Sequence, residues 1–226
     1  MSEPSSRRDP DRREVLMAAA AAAGVATLAE FAEAAAPDKP APPFIDAYAD
    51  RLSYQAGDHV ALHVSTSAPR YAVEVARVGK KRQLVFTKDD LAGTKHPVPD
   101  DAYSHGCRWP AALKIPVAEE WPSGYYQILL RGADDGRKVE GEAFFVVRAA
   151  RPAKDARILL QLCTNTYNAY NRWGGSSLYG GTRGVARRVS FERPYMGFLP
   201  EDNFTNLYSG WRRWERPFVE WAEGAG

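Results

Sequence analysis

The sequence predicts an α+β protein of two domains, an N-terminal all-β sandwich followed by the start of an α/β domain. First, residues 44–150 contain about seven short runs that alternate apolar and polar residues between turn signals, with no helical period. Second, Ile158–Leu162 is a continuous apolar run with the length of a strand that is buried on both faces. Third, an apolar stripe with helical spacing follows near the end of the chain.

The first 36 residues are predicted to be an export signal and not part of the fold. Arg12 and Arg13 stand just before the alanine-rich run 17–29, which is the pattern of a twin-arginine signal. This run is too short and too weakly apolar for a stable transmembrane helix. We therefore expect a twin-arginine signal at 1–36, a Pro-rich linker at 37–43, and a periplasmic or secreted mature protein with no membrane segment. The alternative is an Ala-rich tail that contains Arg-Arg by chance.

The strands of the predicted sandwich follow from alternation and from the turns between them. Asp134-Asp135-Gly136 is a hairpin signal, and Trp121-Pro122-Ser123-Gly124 is a second turn. Trp109 and Trp121 are expected to pack in the core or between the domains, and a sugar-binding platform is the alternative. The predicted strands are His59–Ser65, Tyr71–Val78, Gln83–Thr87, Leu113–Val117, Tyr125–Arg131 and Lys138–Arg148.

The second domain is predicted to span 151–226 and to begin with the buried strand Ile158–Leu162. Hydroxyls, amides and phenols follow this strand directly, and the carboxyl ends of strands in open α/β sheets are where ligands usually bind. Gly174-Gly175 then allows a sharp turn. Pro217 is expected to start a new helix after a break at Arg216. The helical stripe consists of Leu207, Trp211, Trp214, Phe218 and Trp221.

About 75 residues are too few to close a core around this strand and this helix, because a doubly buried strand needs parallel neighbours. The sequence therefore predicts that 151–226 is the N-terminal part of a larger domain, or that another chain completes it.

Charge and cysteine content exclude two classes of function. The formal net charge is +2, which argues against a dedicated nucleic-acid-binding protein. Cys107 and Cys163 are the two cysteines, and they are expected to be buried free thiols, with a disulfide formed in the periplasm as the alternative. No Cys and His spacing suits a zinc site.

Several motifs give the chain a family resemblance. The run TYNAYNRWGGSSLY, followed by SFERPY and RPFVEW, resembles the large-subunit family of N,N-dimethylformamidase. The earlier runs YQAGDHVALHVSTS, GCRWP and WPSGYY resemble the sandwich of the same family, so that the resemblance spans about 44–222. It implies a β-sandwich followed by an α/β domain with glutamine-amidotransferase-like topology.

The resemblance also implies hydrolysis of a small amide at a mononuclear iron held by two tyrosines and one glutamate. Phenolate and carboxylate are hard oxygen ligands suited to ferric iron, which acts as a Lewis acid. Carried over by motif position, Tyr170 of AYN is the first candidate ligand and Tyr195 of RPY the second. Tyr179 and Tyr167 are the alternatives.

Asn171 and Asn168 are the candidate catalytic residues, expected to orient the substrate or the iron ligands. The glutamate ligand of the family lies in a G-H-x-E-Y-W-type segment that this sequence does not contain, and neither Glu192 nor Glu201 matches it. The expected partners are a small amide substrate and a second copy of the chain or a small accessory subunit. The alternative function is a secreted, non-catalytic binding or structural module based on the sandwich.

Overall fold

Eight strands in two sheets dominate the computed structural model, which describes residues 41–154, 158–195 and 210–225. The strands are β1 (Ile45–Ala49), β2 (Ser53–Tyr54), β3 (His59–Thr66), β4 (Arg70–Val78), β5 (Arg82–Ala92), β6 (Ala111–Pro116), β7 (Gly124–Asp134) and β8 (Arg137–Val147). The helices are α1 (Ala102–His105), α2 (Thr164–Tyr170) and α3 (Arg216–Ala225). A 3₁₀ turn spans Trp173–Gly175, and a π-helical turn spans Trp211–Glu215.

The two sheets have the strand orders β1-β3-β6 and β2-β8-β7-β4-β5. Neighbouring strands are antiparallel, except that the short β2 runs parallel to β8. In the larger sheet, Val73 of β4 lies opposite Leu130 of β7. The inner faces of both sheets supply one apolar core, drawn from residues 45–147. The prediction of a β-sandwich is confirmed.

Alternation places the side chains of this core as the sequence predicted. Val60, Leu62 and Val64 of β3 are buried on one face, because successive side chains of a strand point to opposite sides. Each predicted strand of 44–150 overlaps an observed one. Trp109 and Trp121 are buried, as expected.

The hairpin between β7 and β8 is the one that the sequence predicts. Asp135 has φ 47° and Gly136 has φ 74°. Two consecutive left-handed residues match the right-handed twist of the flanking strands, which is why Asp-Gly is favoured there. The turn fixes a register in which Asp134 pairs with Arg137 and Tyr126 pairs with Phe145.

The prediction of a buried strand at Ile158–Leu162 is wrong. These residues form no strand, and the side chains of Ile158 and Leu159 are 77% and 91% exposed. A strand of this kind is buried only when neighbouring strands and covering helices enclose it, and neither sheet of the described residues pairs with this segment. The described residues therefore do not show the α/β second domain, which stays a prediction.

The helix near the end of the chain forms, but its apolar stripe is mostly uncovered. Trp211 is buried, whereas Trp214, Phe218 and Trp221 are exposed. Leu207, the first residue of the stripe, lies outside the described residues.

The predicted helix break at Arg216 is wrong, because the backbone there keeps helical angles. The π-helical turn runs directly into α3, so Pro217 falls in the first turn of α3, where an intrahelical N–H donor is not required.

The predicted export signal at 1–36 lies outside the described residues, as does most of the linker at 37–43. The domain boundary near 150 stays a prediction. None of the described helices is long and apolar enough to cross a membrane.

Candidate functional site

A cleft lies where β1 and β8 of the sandwich meet α2 and the segment 191–195. Its cavity volume is about 40 Å³, and about 450 Å³ when the open space at its mouth is counted. Small side chains, aromatic rings and amides line it. The lining residues are Ala47, Tyr48, Ala49, Leu52, Ala143, Phe144, Thr164, Tyr167, Asn168, Asn171, Phe191, Arg193 and Tyr195. Three of the four residues predicted for the site, Asn168, Asn171 and Tyr195, thus line one cleft.

Tyr195 packs into the aromatic wall of this cleft. Its ring centroid lies 6.4 Å from that of Phe144 and 5.9 Å from that of Tyr167. Burial raises the pKa of Tyr195 above its ordinary value, because the phenolate loses hydration. The protein alone therefore favours the neutral phenol, and a cation beside the oxygen would favour the phenolate.

Tyr170, the other predicted iron ligand, belongs to a different aromatic group. Its ring stacks on that of Tyr179, with 4.2 Å between centroids and 11° between planes. Tyr179 is 61% exposed, and neither ring lines the cleft. In this structure the rings of Tyr170 and Tyr195 do not share one cluster, and their assignment as iron ligands stays a prediction.

Asn171 connects the end of α2 to the two segments that follow it. Its Nδ2 donates a hydrogen bond to the carbonyl of Pro194 at 2.9 Å, and its Oδ1 accepts one from the backbone N–H of Trp173 at 3.1 Å. The side chain therefore holds the RPY segment against the turn at Trp173–Gly175. Gly174 and Gly175 make this turn with φ of 79° and 98°, which agrees with the sharp turn that Gly-Gly predicts.

Arg193 is the residue that sequence reasoning missed. Its side chain is buried, and each of its six hydrogen bonds goes to a neutral oxygen. Nε donates to the carbonyl of Ser190 at 3.0 Å, and Nη1 donates to those of Trp173 at 2.6 Å and Ser176 at 3.1 Å. Nη2 donates to the carbonyls of Asn171 at 3.0 Å and Asn168 at 3.4 Å, and to Asn168 Oδ1 at 3.3 Å.

Burial of this guanidinium has a clear cost, since no carboxylate is among its hydrogen-bond partners. Burial lowers the pKa of Arg193 to about 10. The N–H groups of Arg193 are met by oxygens of α2, of the turn after it and of Ser190, so the guanidinium joins these segments. Arginine is usually a surface residue, and only its position in the polar RPY motif could have pointed to this role.

Among the described residues, three buried side-chain oxygen atoms have no hydrogen-bond partner, namely Tyr125 Oη, Tyr167 Oη and Glu215 Oε2, and of these residues Tyr167 lines the cleft. The other oxygen of Glu215 accepts a hydrogen bond from the backbone N–H of Cys163 at 2.8 Å. Burial raises the pKa of Glu215.

The two cysteines differ in burial. Cys107 is buried, as expected, whereas Cys163 is exposed, so the expectation of a buried thiol is wrong for Cys163. Both thiols are free.

The described residues contain no group of three or more His, Cys, Asp or Glu side chains that could hold a metal. In the lining of the cleft, the phenol oxygens of Tyr167 and Tyr195 are hard ligand atoms. Their chemistry fits ferric iron, which prefers phenolate and carboxylate oxygens.

The family of the chain follows from comparison with known proteins. No curated protein matches the sequence. Among solved structures, the sulfur carrier protein SoxY from Chlorobium limicola f thiosulfatophilum matches with 15% identity and a TM-score of 0.25, over 47% of this chain and 86% of that one. The model of the family described as "N,N-dimethylformamidase beta subunit-like, C-terminal" matches residues 72–226, from β4 onwards. The chain therefore belongs to the N,N-dimethylformamidase beta subunit-like family.

Proposed function

We propose that this chain contributes part of the active site of an iron-dependent amidohydrolase that acts on small amides such as N,N-dimethylformamide. The observation that carries the proposal is the cleft shared by Asn168 and Asn171 of one motif and Tyr195 of a second motif further along the sequence. Membership of the family supports the reaction class.

The walls of the cleft suit a small amide with alkyl groups. Phe144, Tyr167 and Phe191 present apolar rings to the cleft, and Ala47 and Ala143 leave space between them. Such a surface takes methyl groups and excludes water, which strengthens the polar contacts inside. The buried charge of Arg193 would favour negative charge that develops on the carbonyl oxygen during attack.

Tyr170 and Tyr195 are the proposed iron ligands. Iron, when bound, would polarise the amide carbonyl and lower the pKa of a bound water. The glutamate ligand that the family resemblance implies has no match in this sequence, so we propose that a further segment or a small accessory subunit supplies it. We also propose that the protein acts in the periplasm or outside the cell, after twin-arginine export.

The test is to load the purified chain with ferric iron, alone and with candidate accessory subunits. The measurements are iron content, the visible charge-transfer band of a tyrosinate–iron complex, and release of dimethylamine from N,N-dimethylformamide. We expect Tyr195→Phe and Tyr170→Phe each to weaken the band and the activity. Tyr103→Phe, which changes a phenol outside the cleft, is the matched control.

A secreted binding module is the second candidate, because residues 45–147 supply a continuous core of their own. This alternative predicts a colourless protein under all loading conditions. It also predicts that ligand binding is the same in the wild type and in Tyr195→Phe.

A further inference from the structure

The contact between Arg193 and Asn168 determines which way the Asn168 amide faces. A guanidinium has only donors, so the atom of Asn168 that meets Nη2 at 3.3 Å must be the carbonyl oxygen Oδ1. The backbone carbonyl of Asn168 also accepts from Nη2, at 3.4 Å. Side chain and backbone of one residue are thus held by one nitrogen of Arg193.

This orientation leaves the amide nitrogen of Asn168 for the cleft. Asn168 is 5% exposed and lines the cleft, and within the described parts of the chain no acceptor is hydrogen-bonded to its Nδ2. Among the described residues, this nitrogen is not one of the buried atoms that lack a partner, so it is open to the cleft, where the carbonyl oxygen of a ligand can take the place of water. Asn171 differs, because its Nδ2 already donates to the carbonyl of Pro194.

We propose that Arg193 is a positioning residue that holds Asn168 with its N–H donors towards the cleft, so that the cleft selects the carbonyl oxygen of a neutral amide. This inference rests on the proposed function, and it identifies the ligand atom that is recognised. The six hydrogen bonds of Arg193 leave its positive charge without a carboxylate partner, which disfavours a cationic amine in the same cleft. An amide substrate would be retained and an ammonium product released.

Asn168→Asp is the sharpest variant. A carboxylate keeps an acceptor facing Arg193 and turns the contact into an ion pair, but it replaces the donor in the cleft by an acceptor. We expect the affinity for N,N-dimethylformamide to fall about tenfold or more, while the melting temperature stays equal or rises. Asn165→Asp adds the same charge to the exposed side of α2 and should leave the affinity unchanged.

The measurement is a titration of the ¹⁵N-labelled full chain with N,N-dimethylformamide in the presence of a chelator, followed by NMR. The side-chain amide signal of Asn168, assigned by its absence in Asn168→Asp, should shift on binding. Dimethylammonium should not shift it. Arg193→Met should lower the affinity as Asn168→Asp does, and Arg193→Lys should restore part of it.

Three results would overturn the inference: equal affinity in the wild type and Asn168→Asp, an Asn168 signal that does not move at saturation, or no binding in the wild type. If Arg193→Met and Arg193→Lys fail to fold, the affinities of Asn168→Asp and Asn165→Asp still show whether Asn168 donates a hydrogen bond to the bound amide. Because the titration uses metal-free protein, lack of hydrolysis by the iron-loaded protein would refute the proposed function and leave this result standing.

Discussion

Replacing Glu215 by glutamine should remove part of the pH dependence of folding. Glu215 Oε2 is buried without a hydrogen-bond partner, and leaving a buried group in this state costs about 1–3 kcal/mol. The bond from the Cys163 N–H to Oε1 offsets a similar amount, because a charged acceptor contributes about 1.5–3 kcal/mol. Desolvation is the larger effect, so the pKa of Glu215 is raised in the folded state above the ordinary 4.5.

The sign of the pH dependence follows from this shift. Between the unfolded and folded pKa values the native state binds more protons, so the stability from Glu215 is fully present below the unfolded pKa and is lost as the pH rises through the folded pKa. One proton gives at most about 1.4 kcal/mol per pH unit. We expect the free energy of unfolding of the wild type to fall by on the order of 1 kcal/mol relative to that of Glu215→Gln as the pH rises from about 4.5 to 7.

The assay is urea unfolding at several pH values. Tryptophan fluorescence can report it, since Trp211 stacks on Tyr125 with 3.7 Å between centroids. Glu220→Gln is the matched control, because the Glu220 side chain is 40% exposed and pairs with Arg216 on the surface of α3. The reasoning would be refuted if the difference in unfolding free energy between the wild type and Glu215→Gln did not change over this pH range. It would also be refuted if the wild type became more stable relative to Glu215→Gln as the pH rises.

Three further predictions concern the hairpin, a buried charge and the thiols. Gly136→Ala should lower the unfolding free energy by about 1–2 kcal/mol, because the φ of 74° strains an L-residue although no atom lies within 4 Å of the new Cβ. Arg212→Met should cost about 3 kcal/mol in urea unfolding, since it leaves the buried carboxylate of Glu142 without its cation at 2.7 Å. With a thiol reagent, Cys163 should react in the native protein and Cys107 only after unfolding, because burial raises the pKa of Cys107 to about 12.

Each of these predictions has its own control. Gly224→Ala lies in α3 with open space around it and should be neutral or stabilising by up to about 1 kcal/mol. Arg216→Met breaks an exposed pair and should cost less than about 1 kcal/mol. If Gly136→Ala and Gly224→Ala lowered the unfolding free energy equally, backbone strain at Gly136 would not be the cause. If Arg212→Met and Arg216→Met lowered it equally, burial of the Glu142 carboxylate would not be the cause. Reaction of both thiols at one rate in the native protein would contradict the burial of Cys107.

The strands could be predicted because their signals are local. Alternation in β3 and β4 and the Asp-Gly turn at Gly136 act over a few residues, and the sandwich core then buries the faces so marked. Ile158–Leu162 shows the limit of this reasoning. An apolar run indicates that a segment would be stable when covered, and whether neighbours cover it depends on the rest of the fold.

The candidate site, too, could be predicted only where the signal is local. The motifs alone pointed to Asn168, Asn171, Tyr170 and Tyr195, and the structure brings three of them to one cleft while Tyr170 stacks elsewhere. Arg193 could not be predicted, because its acceptors are mostly backbone carbonyls, and any residue type provides those.

By itself, then, the sequence determined the sandwich, its hairpin and the residue types at the candidate site, since periodicity, turn chemistry and motif identity are properties of short segments. Only the tertiary structure decided that Ile158 is exposed, that Trp214 is uncovered and that Arg193 is buried against Asn168. The physical reason is that burial and hydrogen-bond partnership depend on contacts between segments far apart in the chain, and the free energy of an apolar or charged side chain changes sign with those contacts.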